Sequence, residues 1–160
     1  MIISVIKKSP VVIHQLFFLF AQLLILQMNG IGYSGTLAYV GIVSTFLAVL
    51  INLRWDIEIM VNNQIALHHS LFDSSVTIIL MTIIVLSLNI IVGSPISINI
   101  ILSAVIIAIH ELLVSILFVQ KKIYRYSLFR TIPAIALIFF ALSGLEAELI
   151  WPASFFISVL

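Results

Sequence analysis

The sequence predicts an all-α fold: a polytopic membrane helix bundle with five transmembrane helices plus a truncated sixth, N-terminus cytoplasmic. Three observations predict it. First, 63% of the 160 residues are hydrophobic and only 8% are charged, with a mean hydropathy of +1.34; a soluble domain carries about a quarter charged residues. A soluble fold of this size leaves roughly 30% of its unfolded-chain surface in water, more than so apolar a chain can tolerate. Second, apolar runs of bilayer length recur along the chain. Third, the cations fall only in alternate connecting segments.

A bilayer core about 30 Å thick takes roughly 20 apolar residues per helix. Runs that meet this lie at 11–28, 36–53, 74–93, 96–119 and 128–145. The last run, 149–160, covers only part of a crossing at about 1.5 Å per residue. Lys7 and Lys8 precede the first run, but that run is long, holds His14, Gln15, Gln22 and Gln27, and lacks a small-x-small cleavage site, so it reads as an uncleaved helix. Gly30, Gly32 and Gly35 make the segment 29–35 a turn between the first two spans. Gly93-Ser94-Pro95 forms a tight turn between the third and fourth, with the proline near a helix start where its missing N–H costs nothing. Pro133 falls early in the fifth span and Pro152 early in the sixth. No repeat or low-complexity linker divides the chain, so 1–160 reads as a single transmembrane domain.

Orientation follows from the cations. Lys7 and Lys8 precede span one, Arg54 follows span two, and Lys121, Lys122, Arg125 and Arg130 lie between spans four and five; these are all seven Lys and Arg. The intervening loops, 29–35, 94–95 and 146–148, hold none, and the last carries Glu146 and Glu148. The positive-inside rule then places the N-terminus in the cytoplasm and the loops without cations on the other side of the membrane.

Several function classes are excluded. The net charge of +1 offers no basic excess for nucleic acid. Cysteine is absent, which removes disulfides, thiolate nucleophiles and thiolate metal ligands. No Ser/His/Asp arrangement, glycine-rich phosphate loop or His-Glu-x-x-His pattern occurs, so neither an enzyme, a metal site nor a cofactor is expected. His68 and His69 are neighbours and point about 100° apart on a helix, a poor chelate.

Polar groups inside apolar spans are the candidate site, because each is costly in hydrocarbon. His110 and Glu111 sit near the middle of span four, where a carboxyl must pair with a cation or stay protonated. With Ser103 and Ser115 they form a stripe facing protein or water: a proton-linked site or cavity wall, or a pair that only holds helices together. Gln15 and Gln22, seven apart and in phase with Asn29, either line a sugar-accommodating cavity or join helices. Asn52 and Asn89 read as packing. Arg54 can reach a phosphate with its planar fork or pair with Asp56 or Glu58. The cluster Lys121, Lys122, Arg125 and Arg130 anchors topology and touches anionic headgroups.

The segment Leu53-Arg54-Trp55-Asp56-Ile57-Glu58-Ile59-Met60 resembles the Leu-Arg-Tyr-Glu-x-Ala-Ile stretch of the Wzx-like polysaccharide flippases of the MOP superfamily, exporters of O-antigen and capsule units. Phe118-Val119-Gln120-Lys121-Lys122-Ile123-Tyr124-Arg125-Tyr126-Ser127-Leu128-Phe129-Arg130 is similar to their basic stretch between spans four and five. The likeness covers about 35–145, and Glu58 departs from it where the family has Ala. It implies one of two six-helix lobes around a central cavity, so that the chain is a fragment or is completed by a second transporter lobe. It further implies that a lipid-linked oligosaccharide, the undecaprenyl-pyrophosphate sugar, is turned between leaflets without covalent chemistry. Arg54 would contact the pyrophosphate, the Lys121–Arg130 cluster would form the entrance, and membrane lipids would surround the rest. The alternative class is a small non-transporting membrane scaffold or assembly protein. From the cation distribution, a reporter fused after Gly93 is expected outside the cytoplasm and one after Arg125 inside, read with paired phosphatase and fluorescent fusions; the reverse pattern would overturn the topology.

Overall fold

The computed structural model describes residues 10–53, 59 and 67–159. Within them the chain is all-helical: α1 (Pro10–Asn52), α2 (Leu67–Ile91), α3 (Ile98–Val119), α4 (Ile123–Leu142) and α5 (Ala147–Val159). Three described helical stretches are long and apolar enough to cross a membrane, Gln15–Asn52, Leu71–Ile91 and Ile98–Val119, while Leu128–Leu142 and Ala147–Val159 are shorter. The protein is therefore membrane-associated, but its helix lengths do not give the expected five spans plus part of a sixth.

The expected turn at 29–35 shrinks to a single residue. Helix runs through it, and only Gly30 (φ 81°, ψ 176°) leaves helical geometry. That left-handed φ is open to glycine and strained for other residues. Gly32 and Gly35 keep the helix because their cost there is only about 1 kcal/mol each. One residue nevertheless suffices to fold α1 back on itself. Phe18 stacks on the Trp151 ring (5.9 Å between centroids), and Gly41 lies directly against the same ring. In a straight helix those two residues would be roughly 34 Å apart at 1.5 Å per residue. The two arms, 10–29 and 31–52, therefore form a hairpin.

Contacts fix the helix directions. Ser44 Oγ donates to the Ile100 carbonyl (3.3 Å), and Asn52 shares a cavity wall with Ala108 and Glu111, so the second arm runs parallel to α3. Ser97 Oγ meets Glu148 Oε2 (3.3 Å) and His110 meets Phe155 (5.0 Å), so α5 is parallel to both. The first arm and α4 run the other way. The exposed cations Lys121, Lys122 and Arg125 cluster at one end of the bundle, and the turns at Gly30, 92–97 and 143–146, with Glu146 and Glu148, lie at the other.

Trp151 holds the centre. Its ring stacks on Phe18 and on Phe155 (5.7 Å), and its Nε1–H donates to the Leu37 carbonyl (2.8 Å). That places an indole, with its donor satisfied, between both arms of α1 and α5. The same core holds Ile25, Val40, Ala104, Ala108, Leu137 and Ile150, all buried. Small residues let the helices approach, which matters where lipid is as apolar as the core and burial alone drives no association. The outer faces are covered with Leu, Ile and Phe exposed to the surroundings, as a lipid-facing surface requires.

Asn89, expected as simple packing, closes the turn between α2 and α3. Its Nδ2 donates to the Ile96 carbonyl (3.0 Å) and its Oδ1 accepts from Ile96 N–H (3.1 Å), beside Gly93 and Ser94 in left-handed conformations.

Two glycines separate packing from propensity. A Cβ on Gly41 would overlap the Trp151 ring, whereas one on Gly32 meets nothing within 4 Å. Gly41→Ala is expected to destabilise the bundle by about 1–3 kcal/mol through overpacking. Gly32→Ala is expected to leave it unchanged or up to about 1 kcal/mol more stable. Thermal unfolding in detergent checks both.

Candidate functional site

The site forms where α3 meets α4, and a proline creates it. Pro133 lies inside α4 and is fully buried. Having no N–H, it leaves the carbonyl four residues earlier, that of Phe129, without its helical donor. In hydrocarbon such an oxygen must find a partner within the protein. His110 supplies it: its Nε2 lies 3.2 Å from the Phe129 oxygen. A carbonyl only accepts, so Nε2 carries the hydrogen and the neutral ring leaves its lone pair on Nδ1.

His110 is 1% exposed and packs edge-on against Phe155. Its Nδ1 has no hydrogen-bond partner and faces Glu111 Oε1 at 3.8 Å, beyond hydrogen-bond reach. The other oxygen, Oε2, accepts from Arg130 Nη2 on α4 (3.0 Å). The mid-span carboxylate thus pairs with a cation, one of the two states open to it. Arg130 also places its guanidinium over the Tyr126 ring, 5.4 Å from the centroid, within cation–π range. Ser103 and Ser115, in the expected polar stripe, instead donate to carbonyls one turn back on α3, Asn99 (2.7 Å) and Glu111 (2.8 Å).

A furrow leads to this group along the second arm of α1. Three cavities of 230, 560 and 190 Å³ lie in a row, each sharing wall residues with the next. The first two share Gln22, Ala38 and Trp151; the second and third share Thr45 and Val49. Ser34, Ala38, Gly41, Thr45, Val49 and Asn52 recur at steps of three and four, hence on one helix face. From Ser34 to Asn52 the furrow is roughly 27 Å long at 1.5 Å per residue, close to a bilayer core of about 30 Å. Its walls are mostly apolar with hydroxyls and amides at intervals, and the third cavity reaches Glu111.

Of the residues singled out from sequence, His110, Glu111 and Arg130 come together. Gln22 stands on the furrow wall, away from them, and Gln15 is exposed. Lys121, Lys122 and Arg125 are exposed at the basic end, while Arg130, further along α4, turns inward. Arg54 lies outside the described residues, as do Lys7, Lys8 and Trp55. Thr45, Ser34 and Asn52 were missed as lining residues; their spacing of 11 and 7, in phase on a helix, is the signal that could have found them. Asn29 acts as helix glue, its amide reaching the Ala141 carbonyl (3.4 Å), and Tyr33 beside it donates to the Leu145 carbonyl (2.7 Å).

No family model, characterised protein or solved structure matches the chain.

The Glu111–Arg130 pair gives a double-mutant test. Removing one partner leaves the other charge uncompensated in a low-dielectric setting, whereas apolar replacement of both is often tolerated. Glu111→Leu and Arg130→Leu are each expected to lower the unfolding temperature, and the double variant to recover most of the loss. Additive losses would show that the two side chains are not coupled.

Proposed function

We propose that the chain is part of a membrane transporter of the flippase kind, moving a lipid-linked oligosaccharide across a bacterial cytoplasmic membrane for polysaccharide biosynthesis. The furrow is the observation that carries this reading. It is as long as a bilayer is thick, it offers uncharged hydroxyl and amide groups suited to sugars, and it leads to the one ion pair between α3 and α4 among the described residues. Its side openings let a polar headgroup travel along the protein while the isoprenoid tail stays in lipid. The resemblance of segments 53–60 and 118–130 to the polysaccharide flippases supports the same substrate class.

In this reading both arms of α1 cross the membrane, as do α2, α3 and α4, and α5 enters partway. The apolar part of α4 is short, but the basic residues before it reach the headgroups by snorkelling. The cations lie in the cytoplasm, Arg54 and the Lys121–Arg125 cluster meet the pyrophosphate at the entrance, and a second lobe closes the open side of the furrow. Movement between leaflets then comes from rocking of the two halves about the bound sugar.

A second reading, a non-transporting scaffold, is favoured by the cross-helix bonds of Asn29, Tyr33, Ser44 and Trp151, each of which only ties helices together. The two readings differ in one experiment. Deleting the gene from its host is expected to abolish surface polysaccharide and leave the lipid-linked unit on the inner leaflet. Wild-type copies restore export; Glu111→Gln and Gln22→Leu, inserted at normal levels, are expected to restore several-fold less. Full export from both variants would remove the furrow from the mechanism and favour the scaffold.

A further inference from the structure

We propose that His110 Nδ1 is a proton-binding position, and that protonation there draws the Glu111 carboxylate away from Arg130 and onto the imidazole. The proposal stands apart from the transport reading, because it concerns the charge state of three side chains and not what is carried.

Four features of the geometry converge. The first is orientation: the Phe129 carbonyl, released by Pro133, holds Nε2–H and so fixes the ring with its basic nitrogen turned to Glu111. The second is vacancy: Nδ1 is buried and lacks a hydrogen-bond partner, yet an oxygen acceptor stands 3.8 Å away. A shift of under about 1 Å would make a charge-assisted bond of ordinary length. The third is an alternative seat for the cation already present. Arg130 lies over Tyr126 and is about one-fifth exposed, so it keeps a cation–π contact and some solvent when Glu111 moves. The fourth is access. His110 is sealed, but Glu111 is about one-third exposed and lines the 190 Å³ cavity, where a water needs only roughly 10–15 Å³ of such space.

The step balances simply. A hydronium in the cavity gives up its proton and becomes water; the carboxylate relays the proton to the Nδ1 lone pair, forming the second N–H of an imidazolium. The three side chains then carry one net positive charge instead of none. Two cations compete for one carboxylate, and the imidazolium, locked in place by Phe129 and Phe155, is the less mobile of them.

The surrounding elements present few other charges. On α4 the Phe129 carbonyl meets the ring, and the charged group tied to it is Arg130, through Glu111, with Tyr126 under its guanidinium. On α5 the ring meets Phe155, and Glu148 lies at the far end with Ser97. The described side chains of α1 include no charged group, only Tyr33 and Tyr39 toward the opposite end, and Asp73 on α2 is exposed. Glu111 and Arg130 therefore set the electrostatics at Nδ1.

The test is nitrogen-15 NMR of imidazole-labelled full-length protein in detergent or nanodiscs between pH 5 and pH 8.5, with the His110→Gln spectrum identifying the resonance among four histidines. At the alkaline end the Nε2–H tautomer is expected, and on acidification a single conversion to imidazolium. Glu111→Gln and Arg130→Gln are expected to move the midpoint in opposite directions, because one removes the carboxylate that faces Nδ1 and the other removes its competing cation. The wild-type titration decides alone if a variant fails to fold. A ring that stays neutral down to pH 5, or a midpoint that neither variant moves, would overturn the proposal.

Discussion

A backbone carbonyl freed inside a bilayer has no water to turn to, and that constraint organises this bundle. Pro133 frees the Phe129 oxygen, and His110 from α3 takes it. The end of α4 and the turn that follows it leave carbonyls open, and Asn29 and Tyr33, from the fold in α1, supply donors to Ala141 and Leu145. The chain between α2 and α3 is closed by Asn89 on both hydrogen-bonding groups of Ile96. Each of these irregularities in the backbone is met by a side chain, and three of the five bonds tie together different helices or segments far apart in sequence. The polar residues of the spans are therefore placed first by bookkeeping of main-chain hydrogen bonds, and only secondarily by what they offer to a ligand.

His110 shows how the two demands combine. Were its ring required only to satisfy the Phe129 oxygen, an amide or hydroxyl of suitable reach would serve. The imidazole adds a second, basic nitrogen, and the fixed direction of the first bond aims that nitrogen at the carboxylate held by Arg130. A structural necessity on one side of the ring thus pre-organises chemistry on the other. Trp151 plays a comparable double part: its N–H satisfies a hydrogen bond to Leu37 while its flat face fills the space that a side chain at residue 41 would occupy, and its edge forms part of the furrow wall.

The positions of the apolar runs were legible in the sequence to within a few residues, as was the turn at Gly93-Ser94-Pro95 and the pairing of Glu111 with a cation as one of two outcomes. What was not legible was which face of each run meets protein. In water, periodic polar residues mark the outer face of a helix; in lipid, both faces are apolar and the mark disappears. Hence the continuity of helix past Gly32 and Gly35, the place of Trp151 at the centre, and the alignment of Ser34, Thr45 and Asn52 along one wall all escaped. The partner of Glu111 escaped for another reason. Arg130 was counted with the basic cluster because a cation near the end of a span ordinarily turns outward, and only the packing of α4 against α3 turns it in.

The attachment of α2 has a consequence for how the molecule comes together and apart. Little of its surface is covered: its buried described residues are Ser74, Ile78 and Asn89, and Trp151, His110 and the furrow involve none of it. Among the described residues α2 packs on α1 and α3 with fewer buried side chains than either of them has, and the clasped turn at 92–97 joins it to α3. Most of α2 is thus left to lipid, while the ionisable group is enclosed where α3 and α4 meet, away from that rim.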